Sequence, residues 1–269
     1  MCKIISVTMA KGGVGKTTTA INLGTALSNM DKSVLLIDSD PQGHMTKALG
    51  EQPDTLKYTL ANILYAVIDF GVPSYIEEAT LRKANRLALI PANTKLSAVD
   101  QRIVNEKASA SWLNTHSFQG ETVLKQLVEH VADSYDYIII DCGTGLGALT
   151  VNALCAADSV LLPLEAHYLG FEALADTLNN VRLVQARMNP RLTVEGILIT
   201  KYDARTKLCR SIKEQADTLY GSLVLPAPIP YSIKAAEQPA YGISIFGLDS
   251  RSPVATAYRQ TAEAVMAHG

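Results

Sequence analysis

Lys11-Gly12-Gly13-Val14-Gly15-Lys16-Thr17-Thr18 decides the reading of this chain. The apolar run Ile4-Ile5-Ser6-Val7-Thr8-Met9 precedes it and reads as a buried strand. The run from Thr19 to Leu27 follows and reads as a helix packed on a sheet. Strand, glycine loop, Lys-Thr and helix together are the context of a phosphate-binding loop. Glycines let the backbone curl until successive N–H groups point inward at phosphate oxygens. The helix start adds unpaired donors and partial positive charge. Lys16 would neutralise the β- and γ-phosphates of a bound nucleotide, and the Thr17 hydroxyl would ligate magnesium. A plain glycine turn with two surface lysines accounts for neither flank. The rival dinucleotide fingerprint Gly-x-Gly-x-x-Gly fails, because Thr18 stands where its last glycine belongs.

Further continuous apolar runs repeat along the chain. Ser33 to Asp38, Leu87 to Pro91, Tyr137 to Asp141, Ser159 to Leu164 and Val194 to Thr200 read as strands, and Leu223 to Pro230 as a last one. Between them Leu56–Ile68, Val72–Ala79, Leu96–Glu106, Thr122–Ala132 and Gly170–Met188 have helical spacing. Strands alternating with helices predict an α/β fold, a doubly wound, mostly parallel sheet with helices on both faces. Two strands end in acid: Asp38 opens Asp38-Ser39-Asp40-Pro41-Gln42-Gly43, and Asp141 closes Tyr137-Ile138-Ile139-Ile140. A carboxylate at such a strand end is what aims at magnesium-bound water.

The loop departs from the general phosphate-loop pattern. Ala10 replaces its first glycine, and Lys11 adds a second lysine. Lys-Gly-Gly-x-Gly-Lys-Thr-Thr resembles the deviant Walker A loop of the ParA/MinD family of ATPases. The resemblance implies ATP/ADP and magnesium as ligands, with Lys11, Gly12, Gly13, Val14, Gly15, Lys16, Thr17 and Thr18 around the phosphates. It implies that Lys11 reaches across an ATP-dependent homodimer to the partner's nucleotide, adding positive charge where the transferring phosphoryl builds negative charge. Asp38-x-Asp40-Pro-Gln-Gly resembles the family's second signature. That places Thr17, Asp38 and Asp141 near the metal and makes Asp40 the residue that orients or activates the attacking water. Tyr202, Asp203 and Pro230 resemble the adenine side. After Asp141 the family's prolines give way to Cys142-Gly143-Thr144-Gly145-Leu146-Gly147. Glycines there loosen the switch segment and leave the hydrolysis rate open. Cys142 has no second well-placed cysteine, so it reads as a buried thiol and not as an iron–sulfur ligand.

The 269 residues read as one domain, 48% hydrophobic and 19% charged, enough apolar mass for a sizeable core. A net charge of −2 excludes a polycation. Four scattered cysteines disfavour disulfides and zinc and fit a cytoplasmic, reducing setting. The stretch from Ala108 to Gly120 is polar and irregular and reads as a surface insertion. Its Trp112 is either an anchor packed on the domain or a partner contact.

From Arg182 to Lys213 eight Lys or Arg residues face only Glu195 and Asp203, a local balance of +6 against the chain's −2. That is the footprint of a polyanion. Arg205, Lys207, Arg210 and Lys213 are therefore candidates for non-specific DNA contacts, and Lys234 joins them by resemblance to ParA/Soj relatives. The tail from Thr261 carries no Lys or Arg, unlike the basic amphipathic helix of MinD-like proteins, so no membrane partner is expected. No helix-turn-helix precedes residue 1, as in the short Soj-like type. The family resemblance implies nucleoid association and a ParB-like centromere-binding partner that stimulates hydrolysis. A nucleotide-switched binding protein with negligible turnover, and an ATPase positioning a non-DNA cargo, are the alternatives.

Overall fold

The computed structural model describes residues 2–112 and 120–268, with residues 107–112 described by their backbone alone. The strands are β1 (Lys3–Val7), β2 (Val34–Ser39), β3 (Leu81–Ala84), β4 (Leu87–Ile90), β5 (Tyr137–Cys142), β6 (Ser159–Glu165) and β7 (Thr193–Thr200). They form one seven-stranded sheet in the order β3-β4-β2-β5-β1-β6-β7. Every pair is parallel except β3 with β4 at the edge. The helices are α1 (Lys16–Asn29), α2 (His44–Ala48), α3 (Leu60–Phe70), α4 (Ile76–Ala79), α5 (Leu96–Trp112) and α6 (Val123–Val131). They continue as α7 (Ala148–Ala156), α8 (Tyr168–Arg187), α9 (Lys207–Tyr220), α10 (Ile233–Tyr241), α11 (Ile245–Asp249) and α12 (Pro253–Ala267).

Alternation along the central strands explains the two helical layers. Ile139 joins the cluster built with α1 and α12, whereas Ile138 and Ile140 join the one built with α3, α5, α6 and α7. All three are fully buried, which contributes about 1.5–3 kcal/mol for each such side chain. β6 repeats the pattern, Leu161 turning one way and Val160 and Leu162 the other. The chain leaves β1 toward β2 on one side and leaves β5 toward β6 on the other. The loops after these strands therefore part, and the crevice between them is where open α/β sheets bind ligands.

Several local expectations change. Leu223 to Pro230 is not a strand: Pro226, Pro228 and Pro230 have no N–H, so a continuous ladder is impossible. Only isolated bridges remain, Ile197 with Val224 and Tyr202 with Pro230. The helix expected from Leu56 starts at Leu60, because Thr59 and Asn62 form a reciprocal capping box. Of Val72–Ala79 only Ile76–Ala79 is helical. The expected irregular stretch from Ala108 is helical through Trp112, within α5. The rest of that proposed insertion, residues 113–119, and the Trp112 side chain lie outside the described residues.

Candidate functional site: a phosphate loop facing two buried carboxylates

The loop between β1 and α1 is held before any ligand arrives. Thr200 at the end of β7 donates its hydroxyl to the Val14 carbonyl at 2.8 Å, and the Ala10 N–H donates to Thr177 Oγ1 at 3.1 Å. Gly13 and Gly15 have φ of 76° and 93°, a region closed to ordinary side chains and needed for the curl. α1 starts at Lys16, whose residue surface is only 7% exposed. Its Nζ donates to the Lys11 carbonyl at 3.2 Å. Burial lowers the Lys16 pKa, with Asp141 pulling the other way. Thr17 and Thr18 stand half-buried in the first turn.

β2 and β5 run parallel in a register that sets Asp38 beside Asp141, while Val7 of β1 lies opposite Asp141 on its other side. The two acids then differ. Asp38 is saturated: Oδ1 accepts the Asp40 N–H at 3.1 Å, and Oδ2 accepts the Thr46 N–H at 2.8 Å and the Thr46 hydroxyl at 2.6 Å. Burial still raises its pKa to about 6. Asp141 is fully buried and neither carboxylate oxygen has a hydrogen bond of good geometry. Burial, then the Asp38 charge, raise its pKa well above the usual carboxylate range; the Thr17 hydroxyl and Lys16 work against them. An orphaned buried carboxylate beside a threonine hydroxyl and a lysine suits a cation and its bound water. Among the described residues no three His, Cys, Asp or Glu side chains are arranged to hold a metal by themselves.

Asp40 stands in the turn after β2. Its Oδ1 accepts the Gln42 N–H at 2.9 Å and its Oδ2 lies 2.5 Å from His44 Nδ1. Gly143 packs so near that a Cβ there would lie 3.5 Å from Asp40 Oδ1. A cavity of about 530 Å³ is lined by the loop, Lys16, Thr17, Asp40, His44, Cys142 and Thr144, with Gln238 and Pro239 of α10 closing one side. A cavity of equal size, about 530 Å³, lies at the β3–β4 edge and is lined by Arg82, Arg86 and Tyr135. The phosphate-loop cavity has beside it the buried acid with no partner. Cys142 is buried, its Sγ 3.2 Å from Ser6 Oγ, and burial pushes its thiol up to about 12.

Lys11 is not free. Its Nζ lies 3.4 Å from Glu165 Oε2, while Lys201 holds Oε1 of the same acid at 3.1 Å. Tyr202 and Pro230 are brought together, the Tyr202 N–H bonding to the Ile229 carbonyl at 2.9 Å. They do not line the phosphate-loop cavity. Asp203 is gripped by the Arg205 guanidinium at 2.9 and 2.8 Å, which holds its carboxyl at about 2. Among the other cationic candidates Arg210 donates to the Ala204 carbonyl at 2.6 Å, Lys213 pairs with Asp217 at 2.6 Å and Lys234 with Asp249 at 2.7 Å. Lys207 is exposed. Arg205 to Lys213 thus cluster on α9 and the turn before it, and Lys234 stands apart on α10.

Residues missed in sequence also build the site. Thr46 joins Asp38 to the end of β4, since its hydroxyl oxygen accepts the Ala92 N–H at 2.9 Å. Asn22 of α1 donates to Gln238 of α10 at 2.8 Å and accepts the Ile245 N–H of α11 at 2.8 Å. Only His44 carried a readable signal, a titratable residue four positions after Asp40.

A curled glycine loop on a helix start, a buried lysine and paired strand-end acids define the class: a phosphate-loop nucleotide-binding fold. A family model described as an AAA domain matches residues 2–194. The sporulation initiation inhibitor protein Soj of Bacillus subtilis is 39% identical over 269 residues, 100% of both chains. The chromosome-partitioning ATPase Soj of Treponema pallidum is 35% identical, covering 99% of this chain and 98% of its own. Among solved structures, cobyrinic acid a,c-diamide synthase of Mycobacterium smegmatis with bound ATP analogue and magnesium superposes with a TM-score of 0.82. It is 31% identical over 100% of this chain and 96% of that one. The chain belongs to the ParA/Soj family of partitioning ATPases. Among the described residues no helix is long and apolar enough to cross a membrane.

Proposed function

We propose that this chain is an ATP-driven DNA-partitioning ATPase. One observation carries the reading: Asp141, buried and unpartnered, set between Lys16, Thr17 and Asp38 behind a preformed phosphate loop. ATP or ADP would lie against the N–H groups from Gly12 to Thr18. Magnesium keeps several waters and takes few protein ligands, the phosphates supplying the rest. The Thr17 hydroxyl would hold it directly and Asp141 through a water, with Asp38, saturated by Asp40 and Thr46, behind them. Bound magnesium would neutralise the charge that develops between the β- and γ-phosphates.

ATP would bring two chains face to face. Lys11 would then exchange Glu165 for the partner's phosphates; at 3.4 Å the present contact is long for an ammonium–carboxylate pair. The pair of chains would bind DNA without sequence preference through Arg205, Lys207, Arg210, Lys213 and Lys234. A ParB-like centromere-binding protein would stimulate hydrolysis and release it, in the cytoplasm on the nucleoid, with no membrane involved. The Mycobacterium smegmatis structure bears the name of a different activity, so what it supports for this chain is the nucleotide and magnesium site alone.

Lys16→Ala tests the site. Losing a charge-assisted contact to phosphate should weaken ATP binding by about 10- to 100-fold and remove ATP-dependent pairing. Pairing at wild-type ATP concentrations in that variant would refute the assignment. A second reading, a nucleotide switch with negligible turnover, is favoured by Gly143 and Thr144, which stand where the family has prolines, and by Gly145 at a φ of 87°. Phosphate release measured with DNA and the cognate partner separates the two.

A further inference from the structure

Resting on the ATPase reading, we infer that His44 works with Asp40 as a carboxylate–imidazole pair, and that its Nε2 takes the proton of the water attacking the terminal phosphate. Three observations on the chain converge. His44 Nδ1 lies 2.5 Å from Asp40 Oδ2, and an ionised carboxylate only accepts, so Nδ1 carries the hydrogen. In the neutral ring Nε2 then has a bare lone pair. His44 lines the same cavity as Lys16, Thr17 and the glycine loop, and its side chain is 61% exposed, so Nε2 is reachable. Both oxygens of Asp40 are already engaged, by Gln42 and by His44. Asp40 is thus better placed to hold an imidazole than to accept a proton itself, the division of labour seen wherever an acid orients a histidine base.

The step balances without a further reactant. The water oxygen bonds to the γ-phosphorus as the bridging P–O bond breaks, its electron pair leaving with ADP. The water proton passes to Nε2, and the imidazolium that results is stabilised by Asp40. The charged groups sharing the cavity with His44 are Asp40, Lys16 and Lys47, and Lys47 is directed to the Gln42 carbonyl at 2.8 Å. β5 adds the Cys142 thiol, and α10 adds the uncharged Gln238 and Pro239.

A local alternative is that the pair merely fastens the turn before α2. His44→Asn separates the two, because the amide still donates to Asp40 but takes no proton at neutral pH. Turnover is measured from about pH 5 to about pH 8, the range in which an imidazole changes charge. His44→Asn should bind ATP and pair as wild type does, lose about 100-fold in turnover, and lose the acidic limb of the profile. Wild-type turnover with that limb intact would overturn the inference. A readout without nucleotide accompanies it: the ring-nitrogen NMR signals of His44 in the empty chain should show Nδ1 carrying the hydrogen toward Asp40; a neutral ring protonated at Nε2 instead would overturn the pair. Wild-type chain that bound no ATP would instead bring down the ATPase reading and this role with it.

Discussion

Two carboxylates are buried at opposite ends of the same sheet, and they are treated in opposite ways. At the amino end Glu195 of β7, 5% exposed, is saturated. Its Oε2 accepts the Ser159 hydroxyl at 2.5 Å, and its Oε1 lies 3.0 Å from Lys3 Nζ and 3.4 Å from His268 Nδ1. At the carboxyl end Asp141 of β5, 0% exposed, has both oxygens without a hydrogen bond. Burying a charge is costly in either place, but only Glu195 recovers the cost from its neighbours. Burial alone therefore does not mark function. A buried charge whose partners are missing from the chain does, because the missing partner is then a ligand.

Breaking the amino-end cluster gives the largest expected effect. Glu195→Ala strands the Ser159 hydroxyl and leaves Lys3 only the Val265 carbonyl at 3.0 Å, and should lower stability by about 3 kcal/mol, the low end for a buried pair because Lys3 keeps that bond and 17% exposure. ATP affinity should stay as in wild type. Urea unfolding followed with an ATP titration checks both; a variant that kept its stability but lost ATP binding would reverse the assignment of the two ends.

What was readable in sequence follows the same division. The loop, the strands beside it and the acids at their ends are encoded within runs of a few residues, by apolar continuity, glycine and a terminal aspartate. Their state of satisfaction is not. Whether Asp38 is saturated depends on Thr46 and, through it, on Ala92, which arrives from another strand. Glu165 meets Lys11 only because β6 lies beside β1. The last expected strand failed for a different reason: hydropathy does not register that Pro226, Pro228 and Pro230 lack donors. The edge strand β3 was missed because its four residues alternate between half-buried and exposed, with no apolar run to see.

Asp141→Asn sharpens the contrast from the other side. Replacing an orphaned, buried carboxylate by a neutral amide should stabilise the empty chain by about 1–3 kcal/mol, the scale of an uncompensated buried polar group. The same change should weaken magnesium-dependent ATP binding, the trade between stability and function expected at such sites. Melting the empty protein and its variant side by side decides it; a less stable variant would mean that Asp141 has structural partners after all.

The smallest effect is a pH slope. Asp38 is raised from the ordinary 3.8 to about 6, chiefly by burial. Because the folded value lies above the unfolded one, this group favours folding below about pH 4, and the benefit is lost as the pH rises through about 6. Between about pH 5 and about pH 7 Asp38 alone should withdraw about 1 kcal/mol from the empty chain. Asp141 is shifted in the same direction, so the wild-type slope should be the steeper. Asp38→Asn should flatten it without abolishing it, since Asp141 still titrates. Denaturant curves of the two proteins at several pH values in this window read the difference. Parallel slopes would mean that the Thr46 bonds fully offset the burial of Asp38, and that Asp141 alone accounts for the contrast between the two ends of the sheet.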